Sequence, residues 1–409
     1  MNYEMRPITD DEVPEFLRTD SAGFFDTISE EAIERERPLL DLSTTLAAFH
    51  EGRIVASSGA YSFEITVPGP SRIPAAGLAW VAVHATHRRH GLLRSMVSHH
   101  LETSRARGLP VSILYASEST IYGRFGYGIA TYGAQYHIDR AHAALARHVN
   151  TSAYLTSLTA EEAANLLPQL YTKVAESTVG ALNRDEHWWR RFFGFGETSH
   201  GETGARHYVV AHGPTGELEG YATYRVKRDW HDGLADSTLS VGDCFGLTPR
   251  ATASLWRFLT TQDLVGTVTL LSRPLEEPLR ELLADSRRLR TTQYIDGLWL
   301  RILDVPVALE ARRYQLPTTL VLEVKDNVLA GAGGRYRLET SPEGSHCQPT
   351  TAEPDLRLDI ADLSAMYLGG TRCSLLAQAG KVVEERPGAL RVADALFAAE
   401  MTPFCTVQF

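Results

Sequence analysis

Lysine is almost missing from this chain, occurring only at Lys173, Lys227, Lys325 and Lys381, so arginine carries nearly all of the positive charge. That bias reflects coding composition and assigns no function. Positive charge is itself in deficit: 40 basic against 50 acidic side chains leave a formal net charge of −10, which argues against a nucleic-acid-binding surface and favours cationic small molecules. No apolar run approaches the length needed to cross a bilayer, and the opening Met1-Asn2-Tyr3-Glu4-Met5-Arg6 is polar, so neither a spanning helix nor a signal peptide is expected. The expected compartment is the cytoplasm. Cysteine is scarce as well. Cys244, Cys347, Cys373 and Cys405 lack Cys-x-x-Cys spacing, and no histidine stands at a zinc-site offset from any pair, so all four read as reduced residues. His84, His87, His90, His99 and His100 crowd one stretch, but His99 and His100 point about 100° apart on a helix. No metal site is expected.

What is present is an ordinary globular composition. With 409 residues, 44% hydrophobic and 22% charged, the chain can build two or three cores. In the first region, Leu46 to His50 and Arg53 to Ile65 read as strands around the turn Glu51-Gly52. An Ala-rich, then Ser/Thr-rich connection between 140 and 160 marks a boundary near 150, after which 161–174 and 186–193 read as helices. The second region repeats the first: the hairpin 207–212 and 218–228, then a strand at 240–245 and a helix at 253–264. A third region, after Arg312, has strands at 319–325 and 336–340 and a helix near 362–368, a small α+β domain.

The densest local signal is Val81-Ala82-Val83-His84-Ala85-Thr86-His87-Arg88-Arg89-His90-Gly91-Leu92-Leu93-Arg94, an apolar strand that turns through a basic, glycine-containing loop into a helix. The helix places Leu93, Met96, Val97 and Leu101 on one face and stops at Gly108, with Pro110 beyond. Its N-terminus therefore lies in the loop, where unpaired N–H groups, the helix dipole and two arginines converge on an anion such as a pyrophosphate. In the second region the equivalent loop, Leu247-Thr248-Pro249-Arg250-Ala251-Thr252, has no glycine and one arginine.

Arg88-Arg89-His90-Gly91-Leu92-Leu93 resembles the pyrophosphate loop of the GNAT acetyltransferases, and Tyr115-Ala116-Ser117-Glu118-Ser119-Thr120-Ile121-Tyr122-Gly123-Arg124-Phe125-Gly126-Tyr127-Gly128 resembles the ending of the same fold. Longer strings narrow the likeness to the Eis family of multi-site aminoglycoside N-acetyltransferases. They are Thr66-Val67-Pro68-Gly69, Thr86-His87-Arg88-Arg89, Ile121 to Gly128, and Asp296 to Ile302 with Val305-Pro306 and Ala308 to Arg312. The resemblance implies a mixed α+β chain. It has a catalytic GNAT domain at 1–150, a degenerate GNAT-like domain at 151–305 and a sterol-carrier-like domain at 306–409. It also implies acetyl-coenzyme A as cofactor, a small-molecule amine as acceptor, no membrane or nucleic-acid partner, and a homohexamer.

Acetyl transfer to an amine needs a held cofactor, a polarised thioester carbonyl, a neutral amine and a proton for the leaving thiolate. Strand residues Trp80 to Val83 offer backbone groups to a pantetheine arm and N–H groups to an oxyanion. By resemblance Val81 and Val83 take that role, with Ala82 between them; Arg88, Arg89, Gly91, Leu92 and Leu93 hold the pyrophosphate, and Ser117 touches the cofactor. Tyr122 is the expected general acid, since a phenol of pKa about 10 is protonated at neutral pH, while Tyr127 reads as a core residue. The resemblance further makes the α-carboxylate of Phe409 the general base, and Asp26 an acceptor-binding acid with Phe24 and Trp80 as aromatic walls. Gln408 and Tyr115 stand where the best-known members carry Glu and His, which weakens the attraction for polycations. Two other readings stay open: a peptide or protein lysine as acceptor, and a hydrophobic-ligand carrier acting through the third domain.

Overall fold

The computed structural model describes residues 2–69, 71–194 and 204–409, and the chain divides into two compact units. The first comprises 1–131, 179–183 and 297–409; the second comprises 132–178 and 184–296. These limits differ from the sequence ranges. The strand Tyr132–Asp139 joins the sheet of the second unit rather than the first, so the change falls at 131/132 and not near 150. The strand Leu298–Ile302 returns to the first sheet, where its residues are all buried. Backbone pairing, which no linear composition shift reports, sets both limits.

The first unit opens with β1 (Glu4–Arg6), α1 (Val13–Gly23), α2 (Glu30–Glu36), β2 (Leu46–His50), β3 (Arg53–Val67) and β4 (Ser71–Val83). It continues with α3 (Leu92–Ala106), β5 (Val111–Tyr115), α4 (Ser119–Tyr122) and β6 (Gly128–Ile129). The strands lie in the order β1-β2-β3-β4-β5, then Leu298–Ile302, then β6. α3 buries Leu92, Met96, Val97 and Leu101, so Leu92 rather than Leu93 leads its apolar stripe. Two irregularities shape the sheet. β4 pairs in parallel with β5 only through Ala75–Gly77 against Val111–Ile113, and beyond those residues the two strands part as a fork. Within that fork β4 carries a bulge, because Ser57 pairs with Ala82 while Gly59 pairs with Ala79, and Trp80 takes the left-handed conformation at φ 51°. An extra residue reverses the alternation of faces. Before the bulge Leu78 joins Val97 and Leu101 of α3 in one core cluster; after it the Ala82 side chain lies against Gly23 of α1.

The same unit holds a five-stranded sheet in the order Gly344–Pro349, Gly334–Ser341, Thr318–Lys325, Leu356–Asp359, Val382–Glu384. Arg301 and Asp326, both fully buried, form an ion pair there, and Arg301 also donates to the carbonyl of Phe125 at 2.9 Å. The second unit is a seven-stranded sheet over which Pro249–Thr260 packs as a helix, with Trp256, Leu255 and Leu259 in its core. All four cysteines are free and buried. No helix among the described residues is long and apolar enough to cross a membrane.

Candidate active site

A cleft of about 780 Å³ opens in the first unit where β4 leaves β5, and every residue expected on the cofactor side lines it. Val81, Ala82 and Val83 form one wall, Arg88, Arg89, Gly91, Leu92 and Leu93 the end, and Ser117 and Tyr122 the opposite wall. Gly91 is the N-cap of α3 at φ 85°, a conformation that favours glycine, although a Cβ there would meet nothing within 4 Å. Backbone shape therefore fixes this glycine. The first helical hydrogen bond runs from the N–H of Ser95 to the carbonyl of Gly91, so the N–H groups of Leu92, Leu93 and Arg94 remain at the end of the helix to meet an anion.

The two loop arginines have different tasks. Arg88 donates from Nε to the carbonyl of Val83 and from Nη2 to the carbonyl of Gly23, both at 3.1 Å, which ties the loop to the end of α1. Arg89, left-handed at φ 66°, joins Arg94 and Arg124 as the further guanidinium groups of the cleft. Arg94 and Arg124 stand inside the two quoted sequence strings but received no role there. His87 also lines the cleft; burial, and then His50, His84 and His90, hold it below the usual imidazole range.

Tyr122 is buried at the end of α4, in the cluster with Val97 and Leu101. Burial, and secondarily the charge of Asp20, push its phenol up to about 12, so it stays protonated across the physiological range. Tyr127 is a core residue. Its hydroxyl lies 2.7 Å from Ser112 Oγ, which donates its one hydrogen to the carbonyl of Ala76 and so accepts from Tyr127 and, at 2.8 Å, from His100 Nε2. Burial pushes His100 down to about 3, which leaves it neutral and without a role in charge chemistry.

The residues expected on the acceptor side are less close together. Phe24 lies on the cleft and is 53% exposed. Asp26 is outside the cleft lining and exposed; its Oδ1 accepts from the N–H of Thr27 at 2.7 Å. Trp80 is no open wall: the bulge turns it inward, 4.2 Å from the Tyr61 ring and 6.5 Å from that of Phe16. The chain end is docked. Phe404, Cys405 and Val407 are buried, and the N–H of Phe404 donates to the carbonyl of Val179. Gln408 is exposed, while the Phe409 ring packs 4.8 Å from Phe63, 5.5 Å from Tyr115 and 5.8 Å from Tyr61. A Cβ on Gly77 would lie 3.1 Å from the Phe409 ring, so the terminal residue sits on the last β4 residue paired to β5.

Sequence reading missed Asp20. One of its oxygens, Oδ1, is buried without a hydrogen-bond partner, and burial, with Glu36 adding to it, pushes the carboxyl up to about 7. The only signal was an acid on the stripe that carries Val13, Phe16 and Leu17.

In the second unit the residues at the equivalent helix N-terminus are engaged by the chain itself, although a pocket lined by Thr248, Pro249 and Arg250 opens beside them. Thr248 caps the helix through the N–H of Ala251, and the buried Glu219 carboxylate accepts from Thr248 Oγ1 at 3.0 Å and from Arg250 Nε at 2.8 Å. The one arginine of this loop is thereby paired with a carboxylate of the chain itself.

Comparisons with known proteins support the fold, although the family models divide the chain between 302 and 305, where the structure keeps 297–409 within the first unit. Two family models, each described as an acetyltransferase (GNAT) domain, match residues 4–130 and 180–302, and a sterol carrier protein domain matches 305–406. An uncharacterized N-acetyltransferase of Streptomyces griseus is 37% identical, covering 100% of both chains. The N-acetyltransferase Eis of Mycobacterium tuberculosis is 33% identical, covering 98% of both. The crystal structure of Eis1 from Mycobacterium abscessus superimposes with a TM-score of 0.87 at 32% identity, covering 100% of both chains.

Proposed function

This chain belongs to the Eis family of GNAT N-acetyltransferases, and from that membership we propose that it carries the acetyl group of acetyl-coenzyme A to primary amines of an amine-rich, aminoglycoside-like small molecule. The observation that carries the reading is the cleft itself, in which an anion-binding helix end, the edge of a bulged strand and a buried phenol share one cavity. Acetyl-coenzyme A supplies the activated thioester.

This chain's residues divide the remaining work. The N–H groups at the start of α3, with Arg89, Arg94 and Arg124, neutralise the pyrophosphate, while Arg88 holds the loop against α1. Backbone groups of Val81 and Val83, released from β5 by the fork, hold the pantetheine arm and receive the carbonyl oxygen. Tyr122 delivers a proton to the departing sulfur. A phenol at about 12 is a weak acid, but the same burial raises the affinity of a thiolate for a proton, so the pair remains matched. In a chain ending at Phe409, whose ring packs against Tyr61 and Tyr115, the α-carboxylate takes the proton that the nitrogen sheds as the C–N bond forms. The net charge of −10 favours a cationic acceptor.

Coenzyme A release, measured over aminoglycosides, simple polyamines and lysine peptides, tests the proposal. Turnover on the small polycations is expected. Turnover confined to peptides would transfer the acceptor to the lysine class, and none on any amine would refute the function.

A further inference from the structure

Two residues of α1 locate Asp20. Phe16, four residues before it, contacts the Trp80 ring; Gly23, three residues after it, lies against Ala82 and lines the cleft. Residues at those spacings share a helix face, so Asp20 faces the bulged β4 segment between Trp80 and Ala82, around Val81. Tyr61, paired with Gly77, lies on the same side of the sheet as Trp80 and the Phe409 ring, whereas Tyr122 lies with Leu78 in the α3 cluster. Asp20 does not itself line the cleft, as Gly23, Phe24 and Tyr122 do, but it lies close enough for its charge to act on Tyr122.

We propose that Asp20 receives the acceptor's ammonium group and takes its first proton, generating the neutral amine that attacks. This deepens the acetyltransferase reading and rests on it. Asp20 has an unpartnered buried oxygen to offer an N–H, and its carboxyl is ionised at the upper end of the neutral range while remaining basic enough to accept a proton there. The charged group acting on it is Glu36 from α2, and its own charge acts on Tyr122 of α4; Tyr61 and the Phe409 ring lie on the same side of the sheet as Trp80. On its own helix, Glu15 accepts from the N–H of Ile54 and Arg18 is paired with Glu30.

The protons balance. The ammonium gives one to Asp20 before attack; nitrogen then bonds to the acetyl carbon and gives a second to the Phe409 carboxylate. The C–S bond breaks as Tyr122 protonates sulfur. One of the two removed protons restores Tyr122 and the other leaves to solvent. Neutralising Asp20 also removes the smaller of the two causes that hold the Tyr122 phenol up, burial being the larger, so the acid strengthens somewhat once the amine has been activated.

The test compares wild type with the near-isosteric Asp20→Asn on two acceptors, one amine of pKa about 10 and one near 7, from about pH 6 to 9. For the basic amine, Asp20→Asn should lower kcat/KM at neutral pH by about 10²-fold or more and recover as pH rises; the weakly basic amine should lose far less. The KM for acetyl-coenzyme A should not move. An infrared difference spectrum between the two proteins should show a carboxyl band that titrates near pH 7, and this readout needs no turnover. Wild-type rates and pH profile in Asp20→Asn would overturn the assignment alone, as would equal losses on both amines with a raised cofactor KM. Absence of turnover in wild type on every amine would overturn the transferase reading with it.

Discussion

Replacing the hydroxyls of Tyr122 and Tyr127 one at a time should separate catalysis from stability. The rings lie 5.9 Å apart in an edge-to-face contact that phenylalanine retains, so each substitution removes essentially one oxygen. Tyr122→Phe should keep the fold and the cofactor KM while lowering kcat by about 10²–10⁴-fold, equivalent to roughly 3–5 kcal/mol of activation free energy. Tyr127→Phe takes away a donor from the buried Ser112 hydroxyl, which keeps its bonds to His100 and Ala76. Its cost should be about 1–2 kcal/mol of stability, with kcat changed only a few-fold. Steady-state kinetics and thermal melting on the same samples read both columns of this comparison. The pH profile adds a sign: a phenol at about 12 is still protonated at pH 10, so no basic limb from Tyr122 should appear below about pH 10. Wild-type kcat in Tyr122→Phe would refute the reasoning. So would a basic limb near pH 9 that this substitution abolishes.

The other expectations concern the cradle, the chain end and the buried ion pair. Arg88→Ala with Gly91→Asp should raise the acetyl-coenzyme A KM, because the substitutions untie the loop from α1 and place a carboxylate at the anion site; unchanged kinetics in folded protein would remove the loop from cofactor binding. A few residues added after Phe409 should abolish turnover while cofactor affinity, measured by titration, persists, since the ring can stay on Gly77 while its carboxylate becomes a neutral amide; an extension before Met1 should be harmless, and full activity in the extended protein would eliminate the terminal base. Asp326→Ala should destabilise the first unit by roughly 3–5 kcal/mol, as it leaves the Arg301 guanidinium buried without its carboxylate; a melting temperature equal to wild type would contradict this.

Several elements were legible because their signals are local. The 46–50 strand matched to the residue, and the Gly91 turn and the helix that ends before Gly108 follow from backbone preferences and apolar spacing that any neighbour would leave intact. The degenerate loop at 247–252 was equally visible, since a missing glycine is a local fact. What escaped were consequences of pairing. Trp80 reads as an exposed aromatic beside an acid until the bulge in β4 turns it onto Tyr61, and a bulge is a relation between two strands.

The chain's order of residues, by itself, determined the glycine turn into α3 with its two arginines and which phenol stands at the end of α4. Tertiary structure decided which strands belong to which unit and where β4 and β5 part. It also decided that Phe409 rests on Gly77 and that Asp20 is buried with an oxygen lacking a partner. The physical reason is range. Helix caps and turns are set by dihedral preferences and neighbouring side chains, whereas the acidity of a carboxyl or phenol is set by desolvation and by charges that only folding brings near.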